Sequence, residues 1–595
     1  MGLPKGLWHD AGTAGKSYFP PMNRSFALLT ALTLLGGCQT LHSTSPAPTP
    51  AIVEAPAVPS KPKVYRSFSE DSLFALLSAE LAGQRNRYDL ALNNYLEQAR
   101  RTQDAGVAER ALRIAEYLGA EQAALETAQI WAKNAPDNLD AQRAAAIQLA
   151  RAGQYERAMQ IMESVLQAQG DTHFDFLALA AVETDPDTRN GLLHSFDRLL
   201  LKHPENGQLL FGKALLLQQD GKPEDALQLL EAHNASRQEV TPLLLRVRLL
   251  QALQRADEAI PLLEDGLRLH PDEKRLRLSY ARLLVEQERM DEARAEFTRL
   301  VQQFPEDDDL RLSLALICME SQDWLAASAY FSELIGRNAH LDTAHFNLGR
   351  AYEQRKEPDN ALHEYAQVGP GSDYLPAQLR QSELLLDAQR IEEASNRLSK
   401  ARDAQPDYAI QLYLIETETL AKYQHIERAW DIVEQALRQY PDDLNLLYTR
   451  AMLAEKRNDL AQLEADLRNI LAREPENAMA LNALGYTLAD RTTRYAEART
   501  LIEQAYRLNP QDPAVLDSLG WINFRQGQLE VAEQLLRQAL DSFPDAEVAA
   551  HLGEVLWANG KQREARKVWA AALANDPDSP ILRSTLLRLT GAETL

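Results

Sequence analysis

Residues 513–544 read PAVLDSLGWINFRQGQLEVAEQLLRQALDSFP, and this stretch decides the fold. Leu516, Leu519 and Asn523 fall at i, i+3 and i+7, which is one face of a helix. Gly527 stands where a left-handed residue ends that helix. Ala532, Leu536 and Ala539 mark the inner face of a second helix. Gly520 and Ala532 are small enough for the two helix axes to approach closely. Pro544 cannot continue a helical ladder and stops the second helix. The stretch therefore predicts a helical hairpin.

The register repeats. Downstream it recurs as Leu552, Gly553, Leu556, Gly560, Ala565, Trp569, Ala572 and Pro577. Upstream it recurs as Leu484, Gly485, Leu488, Ala498, Ala505 and Pro510, and again as Leu348, Gly349, Tyr352, Ala361 and Tyr365. Gly119, Gly153 and Gly221 share the turn position of Gly527. Pro136, Pro204, Pro271, Pro305, Pro406, Pro441, Pro475, Pro510, Pro544 and Pro577 are spaced by about 34 residues or whole multiples of it. This pattern resembles the tetratricopeptide repeat (TPR), and about 15 such units fit between Ser72 and Ser579. The expected fold is all-α, a TPR superhelical solenoid over 67–579 with a capping segment at 580–595. A HEAT-type array would need a longer period. Two units depart from the pattern. That at His173–Pro204 has Asp185-Pro186 at its turn, and that at Leu444–Pro475 has Leu463 and Ile470 where Ala is usual.

A chain of 595 residues would ordinarily hold several domains, but in a solenoid each repeat packs only on its neighbours. The net charge of −23 argues against nucleic acid as a partner. The two cysteines are Cys38 and Cys318; the latter falls on a first helix and reads as a packing residue.

The amino terminus reads as an address. Met22–Cys38 is MNRSFALLTALTLLGGC: a basic start at Arg24, an apolar run too short to span a bilayer, then Leu35-Gly36-Gly37-Cys38. That ending resembles the lipobox of bacterial lipoproteins. The resemblance implies a signal peptide at 22–37 and acyl chains such as palmitate on Cys38. Gln39, in place of an inner-membrane-retaining Asp, implies the periplasmic face of the outer membrane. Residues 1–21 fit no signal-peptide layout, and translation is expected to start at Met22. Residues 38–66 carry the lipidated cysteine and a tether rich in Pro, Ala, Ser and Thr. Extended, the tether would reach roughly 70–90 Å from the lipid.

Catalytic signatures are wanting. Gly12–Ser17 has Asp10 where a phosphate loop needs Gly, and Gly207–Lys213 is followed by Ala214 and lies within a repeat helix. His363-Glu364 lacks the second His of a zinc motif. Asp307-Asp308-Asp309 opens a helix, where acids favour the dipole. The chain is expected to be no enzyme and to hold neither metal nor cofactor.

The helix positions that line the concave face of TPR proteins fall here on Tyr448, Asn482, Tyr486, Asp517, Trp521, Phe524 and Trp557, an expected protein-binding groove. Packing between repeats is the competing reading, strongest for Phe524 and Trp557. A second candidate is the first helix, Phe68–Leu81, with Leu73, Phe74, Leu76 and Leu77. Its apolar side either caps the array or meets a partner.

Lipobox, tether and repeats together resemble the outer-membrane TPR lipoproteins of proteobacteria that act as adaptors, over nearly the whole chain. That resemblance implies two partners, a periplasmic carboxyl-terminal processing serine protease and its substrates, the peptidoglycan cross-link hydrolases. The alternative is a scaffold for outer-membrane protein assembly or for polysaccharide or protein export. A glycan-processing enzyme would need a long non-repeat domain, and no such segment remains.

Overall fold

The computed structural model describes residues 68–168, 172, 174–181, 184–233 and 239–592. Residues 1–66, with Cys38, the signal peptide and the tether, lie outside them. The described residues form helices joined by turns, with no strand among them. The helices pair into fifteen hairpins, each a helix A followed by a helix B, and then one last helix, Pro580–Thr590. Helix A begins at Glu70, Ala105, Leu139, Phe174, Gly207, Val240 and Lys274, then at Asp308, Leu341, Tyr374, Ala409, Leu444, Ala478, Pro513 and Ala546. The expected solenoid of TPR hairpins is therefore what the chain forms. By packing, it divides into two units, 68–310 and 311–592.

The recurring prolines are half of a start signal. Two residues after seven of the ten comes a side chain that caps the next helix A; after Pro544 the cap is Asp545, one residue on, and after Pro406 and Pro577 no side chain caps. Asp443 after Pro441, Asn477 after Pro475 and Asp512 after Pro510 each accept a backbone N–H, from Leu446, Ala480 and Ala514, at 2.9–3.0 Å. Such caps are worth about 1 kcal/mol each. Proline closes one hairpin and the capping residue opens the next, which sets the period.

Glycine on helix A lets helix B close in. A Cβ on Gly520 would sit 2.7 Å from Leu536 Cγ, and one on Gly485 2.6 Å from Ile502 Cγ1. Gly527 takes φ 80° at its turn, as the spacing predicts. Eight hairpins place Asn86, Gln254, Glu288, Gln322, Lys356, Gln389, Gln424 and Asn458 at positive φ in their own turns.

Both irregular units are helical pairs. In the first, helix A shrinks to Phe174–Ala180, and Asp185 caps helix Pro186–Lys202 through Thr188 N at 2.9 Å. In the second, Leu463 and Ile470 are buried where Ala would stand, and Arg450 bridges Glu434 and Asp466 beside them. Cys318 is buried, as expected of a packing residue. Pro580–Thr590 lays Leu582 and Leu586 against helix Ala546–Ala558.

Candidate functional site

In the unit 311–592, four consecutive A helices carry the candidate face: Leu444–Lys456, Ala478–Arg491, Pro513–Arg525 and Ala546–Ala558. Tyr486 Oη donates to Glu547 at 2.6 Å and meets His551 Nε2 at 3.3 Å. These partners lie two repeats apart. Side chains can touch past an intervening repeat only on the inner side of a curve, so this is the concave side of the last repeats.

The groups form a chain of bonds. His551 Nδ1 lies 2.9 Å from one Asp517 oxygen and 3.1 Å from the other. The imidazole stacks on Trp521 with centroids 4.1 Å apart and 22° between planes. Trp521 Nε1 donates to Asp490 at 3.2 Å, and Arg525 stands 3.7 Å from the same carboxylate. Burial alone would lower the His551 pKa, but Asp517, then Glu547 and Asp490, raise it to about 9. His551 is therefore a cation at neutral pH, a favourable partner for the face of an indole. It can donate from Nδ1 to Asp517 and from Nε2 to Tyr486, leaving the phenol hydrogen for Glu547. Burial pushes the Glu547 carboxyl up, and the Tyr486 phenol well up. Burial also pushes up Glu455 on the first of these helices, with the Glu547 charge adding to the effect.

The expected open aromatic wall does not hold for Trp521 and Asp517, which are 5% and 6% exposed. Curvature presses the next helix A onto them, and His551 covers both. Tyr448, Tyr486 and Phe524 are half-buried and pack on the same core. Asn482 Nδ2 reaches the Ala514 carbonyl at 3.5 Å, while its Oδ1 is sealed from solvent and accepts no bond within the chain. Trp557 is half-buried, its ring 5.8 Å from that of Trp569, so it belongs to the packing between helices. Glu455, Asp490, Glu547 and His551 escaped the sequence reading. Only Glu455 and Asp490 left a trace, two acids one repeat apart near the ends of consecutive A helices.

The second candidate surface lies in the other unit. Helix Glu70–Gln84 starts at Ser69, whose Oγ accepts from Ser72 N at 3.2 Å. Leu73, Phe74 and Leu77 are exposed, Phe74 at 74%, and Leu81 continues the row. Leu76 departs from the expectation: it turns inward against Tyr95, Val107 and their neighbours. A shallow apolar groove runs beside it, lined by Leu73, Leu77, Tyr95 and Val107, with Glu80 and Arg110 at the rim.

Among the described residues, no group of three or more His, Cys, Asp or Glu could hold a metal ion, and no helix is long and apolar enough to cross a membrane.

The tetratricopeptide repeat family matches residues 250–317 and, by a second pattern of the same description, 193–238, 312–373, 448–513 and 518–580. The chain is 67% identical over 574 residues to TPR repeat-containing protein PA4667 of Pseudomonas aeruginosa, spanning 96% of this chain and 97% of that one. It is 24% identical to human tetratricopeptide repeat protein 7A over 34% of this chain and 20% of that protein. The crystal structure of yeast Tom70 aligns over 83% of this chain and 96% of that one, at 14% identity and a TM-score of 0.31. The chain belongs to the tetratricopeptide repeat proteins, scaffolds for protein–protein interaction, in one family with the Pseudomonas aeruginosa protein.

Proposed function

We propose that this scaffold is a non-catalytic adaptor of the LbcA type, lipid-anchored through Cys38 on the periplasmic face of the outer membrane. It holds a carboxyl-terminal processing protease and the cell-wall hydrolases that the protease degrades. The support is the resemblance of lipobox, tether and repeats to that family. What supports an adaptor rather than a single-partner receptor is that two separate candidate surfaces exist, one in each unit. The first is the exposed apolar row Leu73, Phe74, Leu77 and Leu81, suited to an apolar groove on a partner. The second is the polar inner face around Asn482 and Tyr486. We assign the protease to the first and the substrate to the second.

The physical gain is effective concentration. With one partner held, meeting the other becomes intramolecular, at a local concentration on the order of mM. Purified chain, protease and a cross-link hydrolase test the reading. Deleting Phe68–Leu81 with the tether kept should abolish protease capture and retain substrate capture. Tyr486→Ala with Asn482→Ala should do the reverse. Each change should slow hydrolase degradation. If both variants keep both partners and full degradation, the adaptor assignment is wrong.

A further inference from the structure

The A helices of the last three hairpins are joined by a closed set of side-chain bonds. Trp521 of Pro513–Arg525 donates to Asp490 of Ala478–Arg491 at 3.2 Å. His551 of Ala546–Ala558 meets Asp517 of Pro513–Arg525 at 2.9 Å. Tyr486 of Ala478–Arg491 passes the middle helix and donates to Glu547 of Ala546–Ala558 at 2.6 Å, with His551 Nε2 at 3.3 Å. Each of the three helices is thus tied to both others, and the ties form a triangle.

In a solenoid each repeat packs only on its neighbours, so curvature is a sum of small interface angles. Apolar contact is non-directional and holds helices together without choosing among close angles. Hydrogen bonds are directional. A bond between neighbours fixes one angle. The bond from Tyr486 passes a repeat and fixes the sum of two, which is the curvature. It resists opening, because opening would stretch it. Packed rings resist closing: the His551 imidazole lies on Trp521 with centroids 4.1 Å apart, and the Tyr486 ring packs on the imidazole at 5.9 Å. Desolvation offsets most of the attraction within a buried ion pair, so such a frame adds little stability and acts by selecting one geometry.

The frame depends on the charge of His551. Burial works against that charge, and Asp517, then Glu547 and Asp490, sustain it up to about pH 9. Of the groups around the imidazole, Tyr486 and Asp490 come from Ala478–Arg491, Asp517 from Pro513–Arg525 and Glu547 from its own helix, while Arg525 stands 3.7 Å from Asp490. On the other helices packed against Ala546–Ala558, Arg588 pairs with Glu554, Glu533 with Lys561 and Arg537 with Glu564. Protonated, the imidazole donates from both nitrogens and leaves the phenol hydrogen to Glu547. Neutral, it keeps one hydrogen for Asp517. Tyr486 then has a single hydrogen for two acceptors, Nε2 and Glu547, and the Asp517 and Glu547 charges act on one another without the cation they shared.

We propose that this triangle is a brace that sets the curvature of the last three hairpins and loosens when His551 loses its proton. The brace is independent of which partner the inner face holds.

Pulsed electron–electron resonance on the full chain tests it. Spin labels go on ketone-bearing residues placed at exposed Thr493 and Arg563, at or beside the turns of the first and third of these hairpins, so that both cysteines stay as they are. With the brace intact, one narrow distance is expected at neutral pH. Tyr486→Phe keeps the ring and loses the tie; its distances should broaden and lengthen, while its urea midpoint stays close to that of the parent, which separates a lost brace from a damaged fold. Raising the pH through about 9 should broaden the parent in the same way, with no change of sequence in the brace. His551→Gln should be broad already at neutral pH and respond no further. A Tyr486→Phe chain that keeps the narrow distance overturns the proposal, as does a parent distance unchanged well above about pH 9.

Discussion

Replacing Gly553 by alanine asks whether helix packing or helix propensity governs these hairpins. On an exposed helix, Gly→Ala stabilises by about 1 kcal/mol. Here the new Cβ would lie 1.9 Å from Trp569 Nε1 and 2.2 Å from Cε2. Trp569 is fully buried among Leu556, Ala565, Leu582 and Leu586, and its indole is planar and stiff, so it cannot fold away as a flexible chain end would. Overpacking of this kind costs about 1–3 kcal/mol, and an overlap of this depth belongs at the upper end. The net expectation is a loss of about 1–2 kcal/mol confined to the last hairpin, because repeats stabilise only their neighbours. Native-state hydrogen exchange reads this directly. Amides in Ala546–Ala558 and Gln562–Asn575 should exchange roughly 5- to 30-fold faster, while those in the unit 68–310 keep their rates. Trp569→Leu in the Gly553→Ala background should recover part of the loss. Unchanged or slower exchange in Gly553→Ala would refute the reasoning, since alanine would then have gained its helical preference without meeting the indole.

Two further predictions concern charge and anchoring. Burial raises the Glu418 carboxyl from 4.5 to about 7. A carboxyl raised on folding favours the folded chain at low pH and loses that contribution as pH climbs through its folded value. Unfolding by urea should therefore become easier between about pH 5 and pH 8, and Glu418→Gln should flatten that dependence by at most about 3 kcal/mol; identical pH profiles for the two chains would count against a buried charge. Cys38→Ala should block acylation and leave uncleaved precursor, and metabolic labelling with a fatty-acid probe as strong as that of the parent would remove the lipobox reading.

The hairpin count was legible because its signals are local and repeated. Each Pro with its Asp or Asn two positions on marks a boundary, and Gly520 and Gly485 mark a close helix contact. The eight turns with Gln, Glu, Lys or Asn at positive φ carried no such mark. There the fold imposes a backbone conformation that the residue itself disfavours. The inner face was legible only in part, for a different reason. Helical register says which side of a helix a residue occupies, and it put Tyr486, Trp521 and Asp517 on one side. Register says nothing of curvature, and curvature is what brings Glu547 and His551 across an intervening repeat to Tyr486 and lays the His551 imidazole on Trp521. A lone His and a Glu in a helix's first turn read as solvated residues until the turn of the array is known.

The buried cation–anion pair also bears on what the inner face is for. His551 and Asp517 are almost wholly enclosed, and such pairs add little net stability, since desolvation offsets most of their attraction. Well-packed apolar side chains would hold the repeats together at least as firmly. The pair does fix the imidazole in a single orientation, charged, against Trp521 and within reach of Tyr486. The phenol hydrogen is thereby turned to Glu547, and that carboxylate is held without a cation of its own. A flexible surface acid would spend binding energy on being ordered, whereas acceptors already held in place do not. The polar network of the last repeats is therefore better understood as fixing the orientation of His551, Tyr486 and Glu547 than as a fastening between helices.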